Sequence, residues 1–412
     1  MPLTVIAATS SPSIQKKAAE LWVLDTCPPI FELPEIPKHP ERNKIRIGYF
    51  SSDFRNHAVS FLALDLFKNH DRSRFEVIAF SCGHNARDEM RIMLEKTFDT
   101  FVDVFDKTDK DIALLARNLE IDIAIDLGGH TQDSRFGVFA YRAAPIQVSY
   151  LGYLGTTGAS YIDYLIADET IITNANQQHY SERIAYIPSY QINSERKISG
   201  KEFSRQEAGL PQNGFVFCCF NNNYKIHPIT FDSWMRILKR VEGSVFFLYA
   251  DNDLAAINLK KEAERRGIDP DRLIFGKNLP MPEYLARYRV ADLFLDTLPY
   301  NAGTTASDAL WAGLPVLTCM GETFAGRMAA SLLHAVRLPE LITSTLEEYE
   351  ALATELATNP QKLSAIREKL SSNRLTAPLF DAQLFTKNIE TIYTKMYGRY
   401  QTDFPPDHIH IN

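Results

Sequence analysis

Lys225 stands alone as a cation in FVFCCFNNNYKIHP, residues 215–228, where a run of bulky apolar residues turns abruptly polar. An ammonium just past the end of a strand suits an anion, most simply a phosphate, because it is a compact point charge with three donors. The plainer reading is a solvated loop lysine. The preceding Asn221, Asn222 and Asn223 add amide donors and acceptors that tolerate the backbone angles of a turn.

A second candidate is TLPYNAGTTASDALWAG, from Thr297 to Gly313. A strand ends in Asp296, a Pro-Tyr-Asn-Ala-Gly turn follows, and Thr304 and Thr305 open a helix. Small residues and hydroxyls at a helix N-terminus expose free backbone N–H groups at the positive end of the dipole, a cradle for pyrophosphate. Asp308 lies one turn further, within reach of ribose hydroxyls. Ordinary threonine capping and glycine turn chemistry is the alternative. The spacing is neither a Walker A loop nor GxGxxG.

Two more stretches place ionisable groups beyond strand ends. SSDFRNHAVSFL (51–62) puts His57 near the start of a helix, as a general base, a donor to substrate, or a capping or packing histidine. AIDLGGHTQDSR (124–135) carries Asp126 and His130 around Gly128 and Gly129, which let backbone approach a ligand; a glycine-rich turn with a surface histidine is the alternative. YLGYLGTTGA (150–159), containing Leu151 and Gly152, is a glycine-punctuated loop that covers a sugar or nucleotide or makes a tight crossover. Tyr284 and Arg287 sit one helical turn apart, with the tyrosine placed to stack on a base or simply to face solvent. The histidines show no HxxxH spacing and the His and Asp residues are scattered along the chain, so no metal site is expected, and GxSxG is absent.

The elements that must hold these groups repeat a simple pattern. Apolar runs at 44–51, 75–81, 101–105, 121–127 and 146–152 alternate with amphipathic helices at 59–67, 87–96 and 110–119. The alternation restarts with strands at 214–220, 245–250, 272–276, 291–297 and 314–319, separated by helices at 229–241, 254–267 and 305–313. This predicts two doubly wound parallel α/β domains. Ligands on such sheets bind at the carboxyl ends of the strands, so a cleft between the halves is the expected site. The predicted division is an N-terminal helix (13–24) and proline-rich linker within 1–43, a Rossmann-like domain at 44–200, a second at 201–380, and a C-terminal helix and tail at 381–412. The polar stretch 191–213 marks the boundary, 346–372 and 382–398 are helical, and the tail DFPPDHIHIN is expected to fray.

Bulk composition narrows the partners. With a formal net charge of −7 over 412 residues, neither nucleic acid nor an anionic membrane surface is expected as the main partner. The five cysteines include no CxxC pair, and Cys218 and Cys219 lie within an apolar run, so buried free thiols in a reducing compartment are expected. No signal peptide and no membrane-spanning stretch is read, which predicts a soluble, cytoplasmic protein.

SSDFRNH, APIQVSYLGYLGTTG, FNNNYKIHP, LFLDTLPYNAGTTASDALWAGLPV and GETFAGR, in that order, resemble the catalytic region of O-linked N-acetylglucosamine transferases over roughly residues 40–400. The resemblance implies an α/β GT-B fold, with two Rossmann-like doubly wound domains facing an interdomain cleft. It implies inverting, metal-independent transfer of GlcNAc from UDP-GlcNAc to Ser/Thr hydroxyls of a protein acceptor, with no cofactor. Carried over by motif, Lys225 neutralises the departing diphosphate. Thr304 and Thr305 bind phosphate through the helix N-terminus, Asp308 holds the ribose and Asn222 lies near the phosphates. Tyr284 stands where animal members stack a histidine on uracil. Tyr224, Arg287, Gly303, Leu151 and Gly152 complete the implied UDP-sugar-binding set. His57, His130 and Asp126 are candidates for the acceptor proton.

Departures from the family pattern keep other donors open. Leu154 replaces the proline of LGYPGTSG, Gly303 replaces a histidine, and only one helix and a linker stand where family members carry tetratricopeptide helices. The alternatives are a related transferase using GDP-fucose or UDP-glucose, a UDP-sugar 2-epimerase on the same fold, and a non-catalytic nucleotide-sugar-binding scaffold.

Overall fold

The computed structural model describes residues 1–38, 40 and 42–411; residues 39 and 41, in the proline-rich linker, and residue 412 of the tail lie outside the described residues. Its strands are β1 (Ile45–Ser51), β2 (Phe75–Ser81), β3 (Thr100–Asp103), β4 (Ile123–Asp126), β5 (Ile146–Ser149), β6 (Tyr164–Ala167), β7 (Arg183–Tyr186), β8 (Val216–Cys219), β9 (Val245–Tyr249), β10 (Leu273–Gly276), β11 (Leu293–Leu295), β12 (Val316–Cys319), β13 (Ile342–Thr343) and β14 (Ile409–His410).

The chain divides into two compact units, Met1–Ser194 with the segment from Asp381 onward, and Glu195–Phe380. In the first, eight parallel strands run in the order β14-β7-β6-β5-β4-β1-β2-β3. In the second, six parallel strands run β10-β9-β8-β11-β12-β13. Both are doubly wound Rossmann-like sheets. Strands such as β4, β5, β8 and β12 are buried along their whole length, as expected where helices cover both faces of a parallel sheet. That double coverage is why they read as continuous apolar runs.

Side chains explain where the helices begin and stop. The helix Ala58–Asn69 starts at His57, whose Nδ1 accepts from the Val59 N–H at 3.4 Å, and it buries Val59, Leu62, Ala63, Leu66 and Phe67. Tyr49, Phe54, Phe67 and Phe98 meet over this helix with ring centroids 4.8–6.3 Å apart, mostly edge to face. The expected helical stretch 346–372 is two helices, Leu346–Thr358 and Pro360–Asn373. Pro360 has no N–H to continue the first, and the Asn359 side chain caps the second by accepting from the Lys362 N–H at 3.1 Å.

Four organisational details differ from the sequence reading, the first being that two helices, Pro2–Ala8 and Pro12–Thr26, stand at the N-terminus where one is expected. Crossing between units falls at Ser194–Glu195, because Gln191–Ser194 are buried and Ser194 Oγ both donates to the Leu62 carbonyl (2.7 Å) and accepts from the Asp65 N–H (2.7 Å). The C-terminal segment is part of the first unit: the helix Ala382–Gln401 buries Phe385, Ile389, Ile392, Tyr393 and Met396. Finally, the tail does not fray at Ile409–His410, which pair with β7 and extend the sheet.

A buried polar cluster fastens that C-terminal helix. Glu390 Oε1 accepts from the Asp71 N–H at 2.7 Å and lies 3.0 Å from His70 Nδ1. His70 Nε2 is 2.9 Å from the Tyr49 hydroxyl, which lies 3.2 Å from that of Tyr393. Burial pulls the His70 pKa down, keeping the ring neutral with Nδ1–H donated to Glu390. Glu390→Ala should leave the buried His70 Nδ1–H and the part-buried Asp71 N–H unpaired and cost about 2–4 kcal/mol. Thermal melting would show this as a clearly lowered Tm; an unchanged Tm would remove the cluster's structural role.

Candidate functional site

In the second unit the winding direction reverses between β8 and β11, and the loops leaving those two strands carry most of the expected donor-site residues. Asp296 immediately follows β11. It is 3% exposed, its Oδ1 accepts from the backbone N–H groups of Thr297 and Ala302 at 2.7 Å each, and its Oδ2 accepts from the Thr318 hydroxyl at 2.7 Å. Burial pushes its pKa up to about 6 against those hydrogen bonds and the nearby Lys225. The carboxylate therefore folds the loop Thr297–Gly303 back on itself.

That loop receives Lys225. The half-buried ammonium donates to the Asn301 carbonyl at 3.1 Å and lies 3.8 Å from the centre of the Tyr300 ring. Desolvation lowers its pKa to about 8, opposed by the attraction of Asp296. Asn301 in turn donates to the Thr297 carbonyl at 2.7 Å. Asn221, also buried, donates to the Thr297 hydroxyl at 2.8 Å and accepts from the Thr305 hydroxyl. Lys225 and Thr305, 80 positions apart, thus belong to one hydrogen-bonded assembly.

Thr305 sits in the first turn of the helix Thr304–Ala312, whose N-cap is Gly303 and has no side-chain cap. Its leading N–H groups are left for another acceptor. One turn on, Asp308 is 2% exposed, ion-paired with Arg196 and hydrogen-bonded by Tyr284, with burial raising its pKa to about 6. The Tyr284 and Tyr288 hydroxyls are 2.6 Å apart, and Tyr288 donates to the Thr305 carbonyl at 3.2 Å. Asp308 and Tyr284 are thereby tied to the same helix turn.

Not every expected residue joins this assembly. Asn222 is exposed; its side chain accepts from the Tyr224 N–H at 3.3 Å and donates to Asp251 at 3.3 Å. Tyr224 is 51% exposed, with its ring 6.0 Å from that of Tyr300. Arg287 is buried, with its guanidinium 4.2 Å from the Phe220 ring centre and Nη1 donating to the Lys277 carbonyl at 2.5 Å. It packs the Tyr284 helix onto the sheet. Arg196 was not singled out by sequence, since it lies in a polar stretch that resembles a linker.

In the first unit the winding reverses between β1 and β4. His57 follows β1; its Nδ1 caps the helix and lies 3.5 Å from Asp53 Oδ2, while Nε2 has no hydrogen bond among the described residues. Burial lowers its pKa, Asp53 raises it and Arg55 lowers it, so the ring is neutral near pH 7. Asp126 closes β4. Its oxygens accept from the Gly128 N–H (2.9 Å) and the Gly129 N–H (3.0 and 2.9 Å), and burial raises its pKa to about 6. It builds the glycine turn.

His130 is 5% exposed, with Nε2–H donated to the Thr157 carbonyl at 2.7 Å, so neutral His130 carries its lone pair on Nδ1. Thr157 is itself fixed by the buried Glu182, which accepts from its N–H at 2.6 Å and from its hydroxyl, and from the Thr156 hydroxyl at 2.7 Å. Gly152 is required by packing, because a Cβ there would lie 1.9 Å from the Leu127 carbonyl oxygen. Its neighbour Leu151 adopts φ 73°, a left-handed backbone that an L side chain rarely accepts. Ser52, Arg55, Cys82, His84, Phe105 and Arg135 help line an open cavity of about 530 Å³ in this unit. No cluster of three metal-ligating side chains occurs among the described residues, and no helix among them is long and apolar enough to cross a membrane.

Two doubly wound parallel units, the second with a lysine and a helix N-terminus without a side-chain cap at its switch point, define the GT-B class. The Glycosyl transferase family 41 profile matches residues 29–200 and 196–389. The chain belongs to that family. It is 37% identical over 376 residues to the probable UDP-N-acetylglucosamine–peptide N-acetylglucosaminyltransferase SEC of Arabidopsis thaliana, covering 89% of this chain and 38% of that protein. It is 29% identical over 481 residues to the UDP-N-acetylglucosamine–peptide N-acetylglucosaminyltransferase of Caenorhabditis elegans, covering 89% of this chain and 42% of that one. The chain thus spans about two fifths of the length of these curated relatives.

A solved mutant of the Thermobaculum terrenum O-GlcNAc transferase superposes with a TM-score of 0.89 at 31% identity, over 95% of this chain and 75% of that one. Anabaena HepE, solved in complex with UDP, shares the fold at 15% identity with a TM-score of 0.58, over 85% of this chain and 100% of that one.

Asp296→Ala would leave three buried donors without their acceptor and release the Thr297–Gly303 loop. The expected cost is about 3–5 kcal/mol, read as a lower denaturant midpoint. A midpoint equal to the parent's would show that the loop is held by other contacts.

Proposed function

We propose that this chain is an inverting, metal-independent glycosyltransferase that moves GlcNAc from UDP-GlcNAc to Ser/Thr hydroxyls of protein acceptors. The observation that carries the reading is the assembly of Lys225, Asn301, Thr305 and the uncapped helix N-terminus around Asp296. The printed activities of the Arabidopsis and Caenorhabditis relatives support the donor and the peptide acceptor.

In this reaction the acceptor oxygen attacks the anomeric carbon from the face opposite the leaving group. As that bond forms, the bond from the anomeric carbon to the β-phosphate oxygen breaks and its electron pair leaves with UDP. Charge grows on the diphosphate, so a fixed ammonium and helix N–H groups stabilise the transition state more than the ground state. Lys225 and the turn at Thr304 and Thr305 fill that role, which a divalent cation fills in other transferases. Asp308 takes the ribose, Tyr284 presents an aromatic face to the base, and Asn222 and Tyr224 flank the phosphates.

Of the three candidates for the acceptor proton, we assign His57: it is neutral, its side chain is 38% exposed and its Nε2 has no hydrogen bond among the described residues. His130 is nearly enclosed and Asp126 is occupied by backbone N–H groups. The five free thiols are consistent with a reducing, cytoplasmic setting.

Transfer from UDP-GlcNAc, UDP-glucose and GDP-fucose to proteins of a cell extract, read by mass spectrometry, tests the reading. Modification of serine or threonine by N-acetylhexosamine alone is expected; hexose or deoxyhexose would reassign the donor, and an epimerised UDP-sugar without transfer would replace the reaction. Lys225→Ala should lower turnover by about 10²-fold or more at an unchanged Tm. Near-normal turnover would remove Lys225 from the chemistry.

The Lys225 pKa of about 8 also gives UDP binding a pH dependence. UDP stabilises the ammonium, so affinity is full below pH 8 and falls as pH rises through that value, by up to about tenfold per unit. Calorimetric titration from pH 6.5 to about 9.5 should show this in the parent and a flat profile in Lys225→Arg. A parent profile as flat as the variant's would contradict it.

A further inference from the structure

Arg196 is buried, its side chain 4% exposed, yet only part of its guanidinium is used. Nη1 donates to Asp308, and the backbone carbonyl of Arg196 accepts from the Trp311 indole at 2.8 Å. Nε and Nη2 have no hydrogen-bond partner among the described residues. Leaving donors of a buried cation unmet costs more than leaving neutral ones, so such groups are ordinarily met by a ligand or by water. Asp308 lies one turn into the helix whose N-terminus is uncapped, and Tyr284 and Tyr288 tie it to that turn. The free donors therefore belong to the same part of the second unit as the donor-site residues.

We infer that Arg196 is a nucleotide-binding residue: one nitrogen fixes Asp308, and the unpaired Nε and Nη2 donate to oxygen atoms of a nucleoside diphosphate. This rests on the proposed UDP-sugar function and adds a residue to it. The chemistry fits the ligand. A guanidinium is a planar fork that remains charged at all relevant pH values and can serve two acceptors in different directions. Held by Asp308, it is orientated before the ligand arrives, so little side-chain entropy is lost on binding. Its carboxylate partner offsets the charge in the empty protein. On binding, ligand oxygens satisfy donors that are otherwise unmet, a gain available only to an oxygen-rich ligand.

Arg196→Lys separates this role from simple support of Asp308. Lysine keeps the positive charge and can pair with Asp308, but it ends in a single nitrogen and cannot reproduce the fork. UDP titrations by calorimetry would compare the full-length parent, Arg196→Lys and Arg196→Met well below their melting temperatures. The expected result is UDP affinity reduced about tenfold or more in Arg196→Lys, with a Tm close to the parent's, and reduced at least as far in Arg196→Met. UDP affinity in Arg196→Lys within about threefold of the parent's would overturn the inference and leave Arg196 as a support for Asp308. A parent that does not bind UDP at all would instead overturn the proposed function, and the inference with it.

Discussion

Asp296 organises the second unit because a carboxylate at the end of a parallel strand must be satisfied where it is buried. It does so by gathering the N–H groups of Thr297 and Ala302 and the hydroxyl of Thr318. Those bonds curl the loop so that the Asn301 carbonyl meets Lys225 and the chain enters the helix at Thr304 without a side-chain cap. The Lys225 ammonium then sits near a negative charge but is not neutralised by direct contact with it. Attraction from Asp296 keeps the lysine largely protonated near neutral pH even though burial lowers its pKa. An oxygen-rich anion entering this turn meets a cation and free N–H groups whose positions are already fixed.

The first unit uses a buried carboxylate in a related way. Asp126 closes β4 and draws the Gly128 and Gly129 N–H groups into a turn, as Asp296 does after β11. Glu182 then holds Thr156 and Thr157, and the Thr157 carbonyl sets the tautomer of His130. The close approach of Gly152 to Leu127 joins this loop to the β4 turn. Each carboxylate raises the order of its loop through short hydrogen bonds to backbone, which costs less entropy than ordering long side chains. His57 differs: its ring caps a helix through Nδ1 and keeps Nε2 unengaged. One imidazole thus serves structure and still presents a basic nitrogen.

Alternation of apolar runs with amphipathic helices was sufficient to read the doubly wound architecture from sequence, because strands covered on both faces leave an unmistakable apolar record. Four strands escaped that reading. β13 and β14 have two residues each, and β6 and β7 have four, set among polar turn formers. Two residues are too few to separate from loop, whereas β6 and β7, no shorter than β4 or β8, follow β5 with no α-helix between them to mark the alternation. The polar stretch 191–213 was legible as a connection, but not as one whose first residues are buried in one unit and whose arginine is buried in the other.

The sequence by itself determined where the candidate donor-site residues stand along the chain. Lys225, Thr304, Thr305 and Asp308 lie in short motifs at strand ends and a helix start, where residue type and local position are enough to make each a candidate. Tertiary structure alone decided their company. Arg196 meets Asp308 across 112 positions, Thr305 meets Asn221 across 84 and Glu390 meets His70 across 320. The reason is physical: a local pattern fixes the direction in which a side chain leaves its own element, whereas the satisfaction of a buried charge depends on what the sheet order brings alongside it.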